Sequence, residues 1–439
     1  MLTTIRNAFK IKDIRNRLLF TLAMLVVIRF GCQLPVPGVN REYFAQWFAS
    51  QTGDTFNFFD AFTGGSFMNM SIFALNITPY ITSSIIMQLL TIAIPKLEEM
   101  QKDGEEGRKK IATITRYVTV GLALIESAAM AIGFGRSGLL QADAVALDYI
   151  VVILALTAGT AFIMWIGERI TEHGVGNGIS IVLTINIISS IPQDFKALYD
   201  QFVKSAETVT LSVIAAVVII AIVVGMIVLV ILLNGGVRKI PVQYAKKIQG
   251  HKTYGGNTSN IPLKINTAGV IPIIFASSLM QFPIVICQLV GVQGTGFWGE
   301  VLKGLNSNNW CNPDIPVYSI GLLVYVLLVI FFAYFYTSIT FNPMEISNNI
   351  KRQGGFIPGI RPGKPTTEYL TGILNYVIFI GAIGLIIVAV IPFFFNGVFG
   401  ASVSFGGTSL IIIVSVILET IKQVESRMLV RNYKGFLNA

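Results

Sequence analysis

Charge is what this sequence has least of. Of its 439 residues only 13% are charged, whereas 53% are hydrophobic. Globular soluble domains carry about 25% charged residues. The deficit excludes an ordinary soluble domain, and it excludes a disordered chain, which needs charge to stay solvated. The composition therefore predicts a polytopic membrane protein.

Cysteine and histidine are also scarce. Cys32, Cys287 and Cys311 are odd in number and widely spaced, so no disulfide framework is predicted. His173 and His251 are isolated, which argues against a metal site. The glycine-rich tract at 174–178 lacks the Lys-Ser/Thr of a phosphate-binding loop, and no nucleophile–base–acid set emerges. The sequence predicts neither an enzyme nor a cofactor.

Few ionisable residues are candidates for a place inside the helix bundle: Arg29, Glu126, Glu168 and Glu419. Arg29 and Glu126 are interpreted as structural, either paired with each other or snorkelling near helix ends. Channels and transporters for polar solutes usually place several such groups inside the bundle. An inverted-repeat secondary transporter of small solutes is the alternative function, and this scarcity counts against it.

Long apolar runs dominate what is present. They predict ten membrane spans, because each run is about the length of a bilayer-crossing helix. The runs are residues 18–36, 72–94, 115–135, 150–170, 178–195, 211–233, 267–291, 317–338, 370–391 and 405–424.

The distribution of basic residues gives the orientation. Of the 32 Lys and Arg, 26 fall on the side that holds both termini and 5 on the other, with Arg29 inside a span. By the positive-inside rule both termini are cytosolic. Ten spans divide into two five-helix halves, residues 1–196 and 197–439. An odd number per half requires that any structural repeat be inverted across the membrane.

The approach to the second span is unusual. The stretch FNFFDAFTGGSFMNM, residues 56–70, is too apolar for a solvated loop and too short to cross a bilayer. Such a segment lies at membrane depth only where it is buried in protein or lines a cavity. The chain is therefore predicted to enclose a space into which part of it folds back.

Two cytosolic loops, residues 234–264 and 340–367, are long, basic and rich in Gly and Pro. Alternation over Val237 to Tyr244 predicts a short strand. Each loop is open to interpretation as a solvated topological anchor. Tyr244, Tyr254, Phe356 and Ile357 lie among the charges, a mixture typical of a protein interface. We favour a docking platform for a cytosolic partner.

Seven segments in order along the chain resemble the SecY family of bacterial protein-translocase channels. They are SIFALNITPYITSSIIMQLL, PKLEEMQKDGEEGRKKIATITRY, GERITEHGVGNGISI, RKIPVQYAKK, PLKINTAGVIPIIFASS, NPMEISNNIKRQGGFIPGIRPG and FGGTSLIIIV. The resemblance implies an all-α fold of ten helices, with two inverted halves around an hourglass pore. It also implies a channel that passes unfolded preproteins and releases membrane segments sideways into lipid.

The resemblance implies residue roles as well. A pore ring would comprise Ile77, Ile81, Leu183, Ile187, Ile274 and Ile412. A plug at about 56–71 would include Asp60, Phe62, Gly64, Gly65 and Phe67. A lateral gate would be lined by Thr82, Ser83, Ile86, Gln88, Asn266, Ser277, Ser278 and Phe282. Partner contacts would fall on Arg238, Lys246, Lys247, Lys252 and Arg361.

The partners implied are the small membrane subunits SecE and SecG, the motor ATPase SecA, and the ribosome. Signal peptides, preprotein substrates and membrane lipids complete the set. The implied location is the bacterial cytoplasmic membrane.

Overall fold

The computed structural model describes residues 9–39, 44, 63–136, 146–204, 209–244, 247–249, 252–254, 258–290, 297–313, 315–399 and 407–435. It is dominated by helices. The chain divides into two compact units. The first comprises Met1–Ala197, Ile284–Glu300 and Val416–Ala439, and the second Leu198–Pro283 and Val301–Ser415. The predicted halves, 1–196 and 197–439, did not anticipate that two later segments group with the first unit.

Among the described residues, the first unit contains the six helices α1 to α6 together with the ends of later helices. Helix α1 packs through one face: Ile14, Thr21 and Ile28 are buried at intervals of seven residues, while the apolar Leu22 and Val26 are exposed. Helix α1 packs on α5, and α4 packs on both α2 and α5. The bounds are α1 Lys12–Gly31, α2 Thr78–Ala93, α3 Pro95–Lys102, α4 Gly104–Arg136, α5 Ala146–His173 and α6 Gly178–Leu198.

The second unit combines helices with a small sheet. After the π-helical turn Tyr199–Lys204 come α7 Val209–Gly235, β1 Val237–Tyr244, β2 Lys247–Gln249, β3 Lys252–Tyr254 and β4 Thr258–Lys264. Then follow α8 Ile271–Val290, α9 Phe297–Leu305, the 3-10 turns Ser307–Asn309 and Pro316–Ser319, and α10 Ile320–Thr340. The last elements are α11 Pro343–Arg352, β5 Gly355–Phe356, α12 Lys364–Phe399 and α13 Gly407–Gly435. The ends of α8 and α13 belong to the first unit.

Each of the ten predicted spans overlaps one described helix. Within the part of the chain that the structure describes, five stretches could cross a membrane by length and composition: Gly104–Gly135, Ala146–His173, Ala216–Gly235, Pro316–Arg352 and Lys364–Val398. The count is six if the bent pair α2–α3 is one span, and Gly178–Gln193 and Ile271–Met280 are shorter apolar helices. Helix α1 is long enough but carries Arg15, Arg17 and Arg29.

The predicted bounds of the first two spans were wrong at the ends that face each other. Helix α1 ends at Gly31 rather than at residue 36, and α2 begins at Thr78 rather than at residue 72. Pro79 stands in the first turn of α2, where its missing N–H costs nothing. The residues between pair with one another, through a bridge between Pro35 and Ser71.

The predicted strand is confirmed as β1, with its bounds at Val237 and Tyr244. The loop predicted at 340–367 was more structured than expected, since it contains α11 and β5. Helix α11 begins where it does because the Asn342 side chain accepts from the N–H groups of Met344 and Glu345.

The turn between α5 and α6 is held by side chains of two distant helices. The Val175 N–H donates to Thr21 Oγ1 of α1 at 3.2 Å, and the Gly176 N–H donates to Gln423 Oε1 of α13 at 2.7 Å. Within the turn, the Gly178 N–H donates to Thr171 Oγ1 at 2.9 Å. These bonds give partners to backbone N–H groups that make no hydrogen bond within a helix. They also fix the residue at which α6 begins.

Replacing Thr21 by Val should lower the midpoint of thermal unfolding in detergent. The substitution keeps the side-chain shape but leaves the buried Val175 N–H without its acceptor, at a cost of about 1–3 kcal/mol. Thr21→Ser, which retains the oxygen, is the matched control. Equal unfolding midpoints for Thr21→Val and Thr21→Ser would contradict the role given to this hydrogen bond.

Candidate functional site

Residues 63–77 form a series of turns packed inside the first unit. Phe67, Met70 and Ser71 are buried. Two hydrogen bonds tie the segment to the chain after α1: the Val36 N–H donates to Met70 O at 3.0 Å, and the Ile72 N–H donates to Leu34 O at 2.9 Å. The described part of the re-entrant stretch is thus buried in protein, as predicted. Asp60 and Phe62 lie outside the described residues.

A tight turn at Gly64 and Gly65 begins this segment. Both residues have positive φ, +65° and +83°, a conformation that side chains disfavour. The Gly64 carbonyl accepts from Arg29 Nη1 at 3.1 Å and from Ser189 Oγ at 3.3 Å. Of the two interpretations of Arg29, pairing with Glu126 was wrong: Arg29 binds backbone and amide oxygens instead, including Asn186 Oδ1 at 3.5 Å.

The six residues assigned to the pore ring are divided between the two units. In the first unit Ile77 stands at the start of α2 and Ile81 one turn later, while Leu183 and Ile187 have the same spacing on α6. Ile77, Leu183 and Ile187 are buried. In the second unit Ile274 lies in the first turn of α8, and Ile412 is buried near the start of α13.

On α2, the hydroxyl groups assigned to the lateral gate bond to their own helix. Ser83 Oγ donates to Pro79 O at 2.7 Å, and Thr82 Oγ1 donates to Thr78 O at 3.1 Å. Ile86 is partly exposed and Gln88 is exposed. Ser83 therefore satisfies the backbone around the proline.

On the side of α8, the assigned gate residues differ in exposure. Asn266 is buried, and its Nδ2 donates to Asn234 Oδ1 at 2.9 Å. Ser277 is also buried and faces the Tyr325 hydroxyl. Ser278 is exposed, and the side chain of Phe282 lies outside the described part of the chain.

The two long basic loops join in one sheet. Strand β1 pairs antiparallel with β4 over its length, from Val237 opposite Lys264 to Gln243 opposite Thr258. At its end β1 also pairs with β5, placing Gln243 opposite Phe356. The order β4-β1-β5 therefore links residues of both loops. We call this three-stranded sheet, with α11 and the turn 357–363, the platform.

The platform has its own apolar core. Ile240 and Val242 alternate with exposed residues on β1, and they cluster with Leu263, Ile350, Ile357 and Leu370. Two residues taken from the sequence as interface candidates belong to this core: Ile357 is buried and Tyr244 packs partly against it. Phe356, by contrast, is 37% exposed.

Arg361 is exposed on an anchored turn. Its carbonyl accepts from Thr366 Oγ1 at 2.8 Å, and the nearby Gly363 carbonyl accepts from Ser347 Oγ at 2.9 Å. Arg238 is exposed at the start of β1. Lys247 and Lys252 lie in the β2–β3 hairpin, and Lys246 lies outside the described residues.

Sequence reasoning missed the polar residues of α6 that contact the turn at Gly64. Asn186 and Ser189 lie within the predicted span 178–195, and no role was predicted for them. Asn186 is fully buried, and Ser189 Oγ donates to Asn186 O at 2.6 Å. The available signal was an amide and a hydroxyl three residues apart in a run that otherwise needs no polar group.

Known proteins resemble this chain along its whole length. The sequence pattern of the SecY family matches residues 71–421. The chain is similar to the protein translocase subunit SecY of Streptomyces galbus, with 43% identity over 450 residues and all of both chains covered. The corresponding subunit of Bacillus subtilis (strain 168) is 43% identical over 443 residues, again with full coverage. The chain belongs to the SecY family.

Solved structures share the fold. A protein-conducting channel superimposes with a TM-score of 0.62 at 17% identity, covering 94% of this chain and 92% of that one. A SecY protein whose plug domain stabilises the closed channel gives 0.63 at 18% identity, with the same coverage. Sec61 of the canine ribosome–channel complex gives 0.60 at 16% identity, also covering 94% and 92%.

These findings confirm the predicted helical, polytopic membrane fold. The chain is a subunit of a protein translocase, a protein-conducting channel and not an enzyme. They give no support to the secondary transporter of small solutes.

The core of the platform should depend on Leu263. Leu263→Ala removes a side chain that is 2% exposed, and such truncations cost about 2–5 kcal/mol. We expect faster trypsin cleavage between residues 238 and 264 of the detergent-solubilised protein. The exposed neighbour Lys264 supplies the control: Lys264→Ala should leave cleavage elsewhere in the segment unchanged. A Leu263→Ala protein as resistant as the parent would contradict the packing described.

Proposed function

We propose that this chain passes unfolded secretory proteins across a bacterial cytoplasmic membrane and releases membrane segments sideways into lipid. The observation that carries the proposal is the buried, irregular segment 63–77 in a chain of the SecY family. Irregular backbone among membrane helices is tolerated only where protein or a cavity surrounds it. A channel with a displaceable plug has a use for such a segment; a plain helical bundle does not.

The pore ring would be Ile77, Ile81, Leu183, Ile187, Ile274 and Ile412. Aliphatic side chains bind no ion or passing residue strongly, so an extended chain of any sequence could slide between them. A narrow apolar constriction also dewets, which opposes ion leak. Spacing by one helical turn on α2 and on α6 supports a common facing direction within each pair.

The plug would begin at about residue 56 and include Asp60, Phe62, Gly64, Gly65 and Phe67. The packing of Phe67 supports this role, since its ring meets Phe44 edge-on at 6.1 Å between centroids. The positive φ of Gly64 and Gly65 supplies a compact turn at the base of the segment.

The lateral gate would be lined by α2 and α8. Gln88 and Ser278 are exposed polar residues in helices that contain no charged residue, which supports a polar or partner-facing surface there. Because Thr82 and Ser83 already bond to their own backbone, opening would cost few hydrogen bonds. Interhelical hydrogen bonds in membranes contribute about 1 kcal/mol each, so a signal peptide could compete.

The platform would dock a cytosolic partner, either the motor ATPase SecA or a ribosome. Two of the structural neighbours are ribosome-bound channels, canine Sec61 and the yeast Ssh1 complex on the 80S ribosome. The planar guanidinium of Arg361 matches carboxylates of a motor or phosphates of ribosomal RNA. Arg238, Lys246, Lys247 and Lys252 would add charge. SecE and SecG would accompany the chain, with both termini in the cytosol.

Single cysteines at Ile81 and Ile274 should crosslink to a preprotein arrested during transport. The ring proposal places both side chains against the passing chain, whatever its sequence. The three native cysteines are first replaced, and the complete translocase is reconstituted in vesicles.

Cysteines at Ile125 and Ile220 are the matched controls, because these isoleucines are 67% and 59% exposed on α4 and α7. They should not crosslink to the arrested preprotein. If Ile81 or Ile274 gave no more adduct than these positions, the ring proposal would be refuted.

Arg361→Glu should abolish motor-driven translocation in reconstituted vesicles while the protein still inserts into the membrane. Reversing the charge of an exposed group on an anchored turn removes the fork without touching the platform core. Lys364→Glu is the control, since Lys364 is also exposed and lies three residues away. Normal transport by Arg361→Glu, or equal loss in both variants, would rule out a specific docking role for Arg361.

A further inference from the structure

Arg29 is a cation in the last turn of an apolar helix whose charge is met by neutral oxygens. Its Nη1 lies 3.1 Å from Gly64 O and 3.5 Å from Asn186 Oδ1. Among the residues that the structure describes, no carboxylate lies within 4.0 Å of it. A helix C-terminus favours a cation, but that alone explains neither contact. The guanidinium instead joins three elements: α1, α6 and the turn at Gly64.

The space around Gly64 has no room for a side chain. A Cβ at this position would lie 2.6 Å from Asn186 O, 2.6 Å from Ser189 Oγ and 2.9 Å from Arg29 Nη1. Because φ is +65°, the turn presents its carbonyl to Arg29 and Ser189 together. Donors from two helices therefore converge on one backbone atom of the segment assigned to the plug.

The contact of Ser189 with this carbonyl is long and easily lost. Ser189 Oγ is 3.3 Å from Gly64 O and only 2.6 Å from Asn186 O, so its main acceptor is its own helix. Asn186 is fully buried, yet within the described chain its Nδ2 has no hydrogen-bond partner. Burial of an amide donor without a partner costs free energy, which offsets part of what the contacts contribute.

The position of Asn186 connects this site to the ring. It directly precedes Ile187 and follows Leu183 by three residues on α6. A displacement of α6 that widened the ring would therefore also lengthen the bond of Ser189 to the turn and that of Asn186 to Arg29. Movement of α6 would therefore widen the pore and release the turn at Gly64 at the same time.

We propose that Arg29, assisted by Ser189 and Asn186, is a latch that holds the plug closed by binding the Gly64 carbonyl, and that movement of α6 opens it. Arg29 is a positioning residue: it contacts the plug rather than the transported chain. The inference rests on the plug role proposed above, and the experiment separates the failure of one from the failure of the other.

The test measures ion conductance of the resting, reconstituted translocase in planar bilayers. Arg29→Gln should raise the leak about tenfold, the equivalent of about 1.4 kcal/mol. Arg29→Lys keeps the charge with fewer donors and should give a smaller rise. Ser189→Ala, a milder change, should raise the leak a few-fold, which keeps the proposal testable if Arg29→Gln folds poorly.

Arg17→Gln is the matched control. Arg17 lies on the same helix and also donates to backbone carbonyls, Glu172 O at 3.2 Å and Gly174 O at 3.4 Å. Its loss removes the same kind of bond without touching the plug. It should leave the leak at the parent value, even if both variants lower thermal stability equally. Equal leaks for Arg17→Gln and Arg29→Gln would overturn the latch as a generic loss of helix packing.

Deletion of residues 63–70 distinguishes the two levels of the proposal. If the deletion does not raise the leak, the plug role itself fails. If the deletion leaks but Arg29→Gln stays sealed, the plug stands and the latch fails. If both leak, adding Arg29→Gln to the deletion should change nothing further, because the carbonyl it binds is gone. A further rise in the double variant would show that Arg29 acts elsewhere.

Discussion

The backbone after α1 and the backbone before α2 satisfy each other, and the candidate site depends on that exchange. Among membrane helices no water serves an unpaired N–H or C=O, so every departure from helix needs a protein partner. Helix α1 ends at Gly31, which frees Leu34 and Val36 to bond Ile72 and Met70. The early end of α1 and the late start of α2 therefore have the same cause: the residues between the two helices hydrogen-bond to each other.

The same constraint shapes the turn between α5 and α6. Its N–H groups at Val175 and Gly176 are served by Thr21 and Gln423, from helices near the two ends of the chain. Glycine is required there for close approach, since a Cβ on Gly178 would overlap the Gly167 carbonyl. The glycine-rich tract that lacked phosphate-binding chemistry thus has a packing role. It sets the start of α6, which carries Leu183 and Ile187.

The sequence predicted the features that depend on residues close together along the chain. Hydrophobic length located one described helix for each of the ten predicted spans, and alternation located β1. It could not predict that Gln243 pairs with Phe356, because pairing between distant segments leaves no periodic signal. For the same reason Ile357 looked like an interface residue: an apolar side chain in a basic loop fits either a surface or a hidden core. The ring isoleucines needed the family resemblance, since nothing in the sequence distinguishes Ile77 and Ile81 from the many other aliphatic residues of the spans.

Some arginines bind a backbone carbonyl and others bind a carboxylate, and the two kinds of partner suit different roles. Arg29 binds the Gly64 carbonyl, whereas Arg116 pairs with Glu168 at 2.6 Å between α4 and α5. Separating an ion pair leaves two charges without their partner. Separating a cation from a carbonyl strands at most one, and the carbonyl can rebond to water. Carbonyl anchors therefore suit a segment that must leave its site and return, whereas the carboxylate pair suits two helices that remain together.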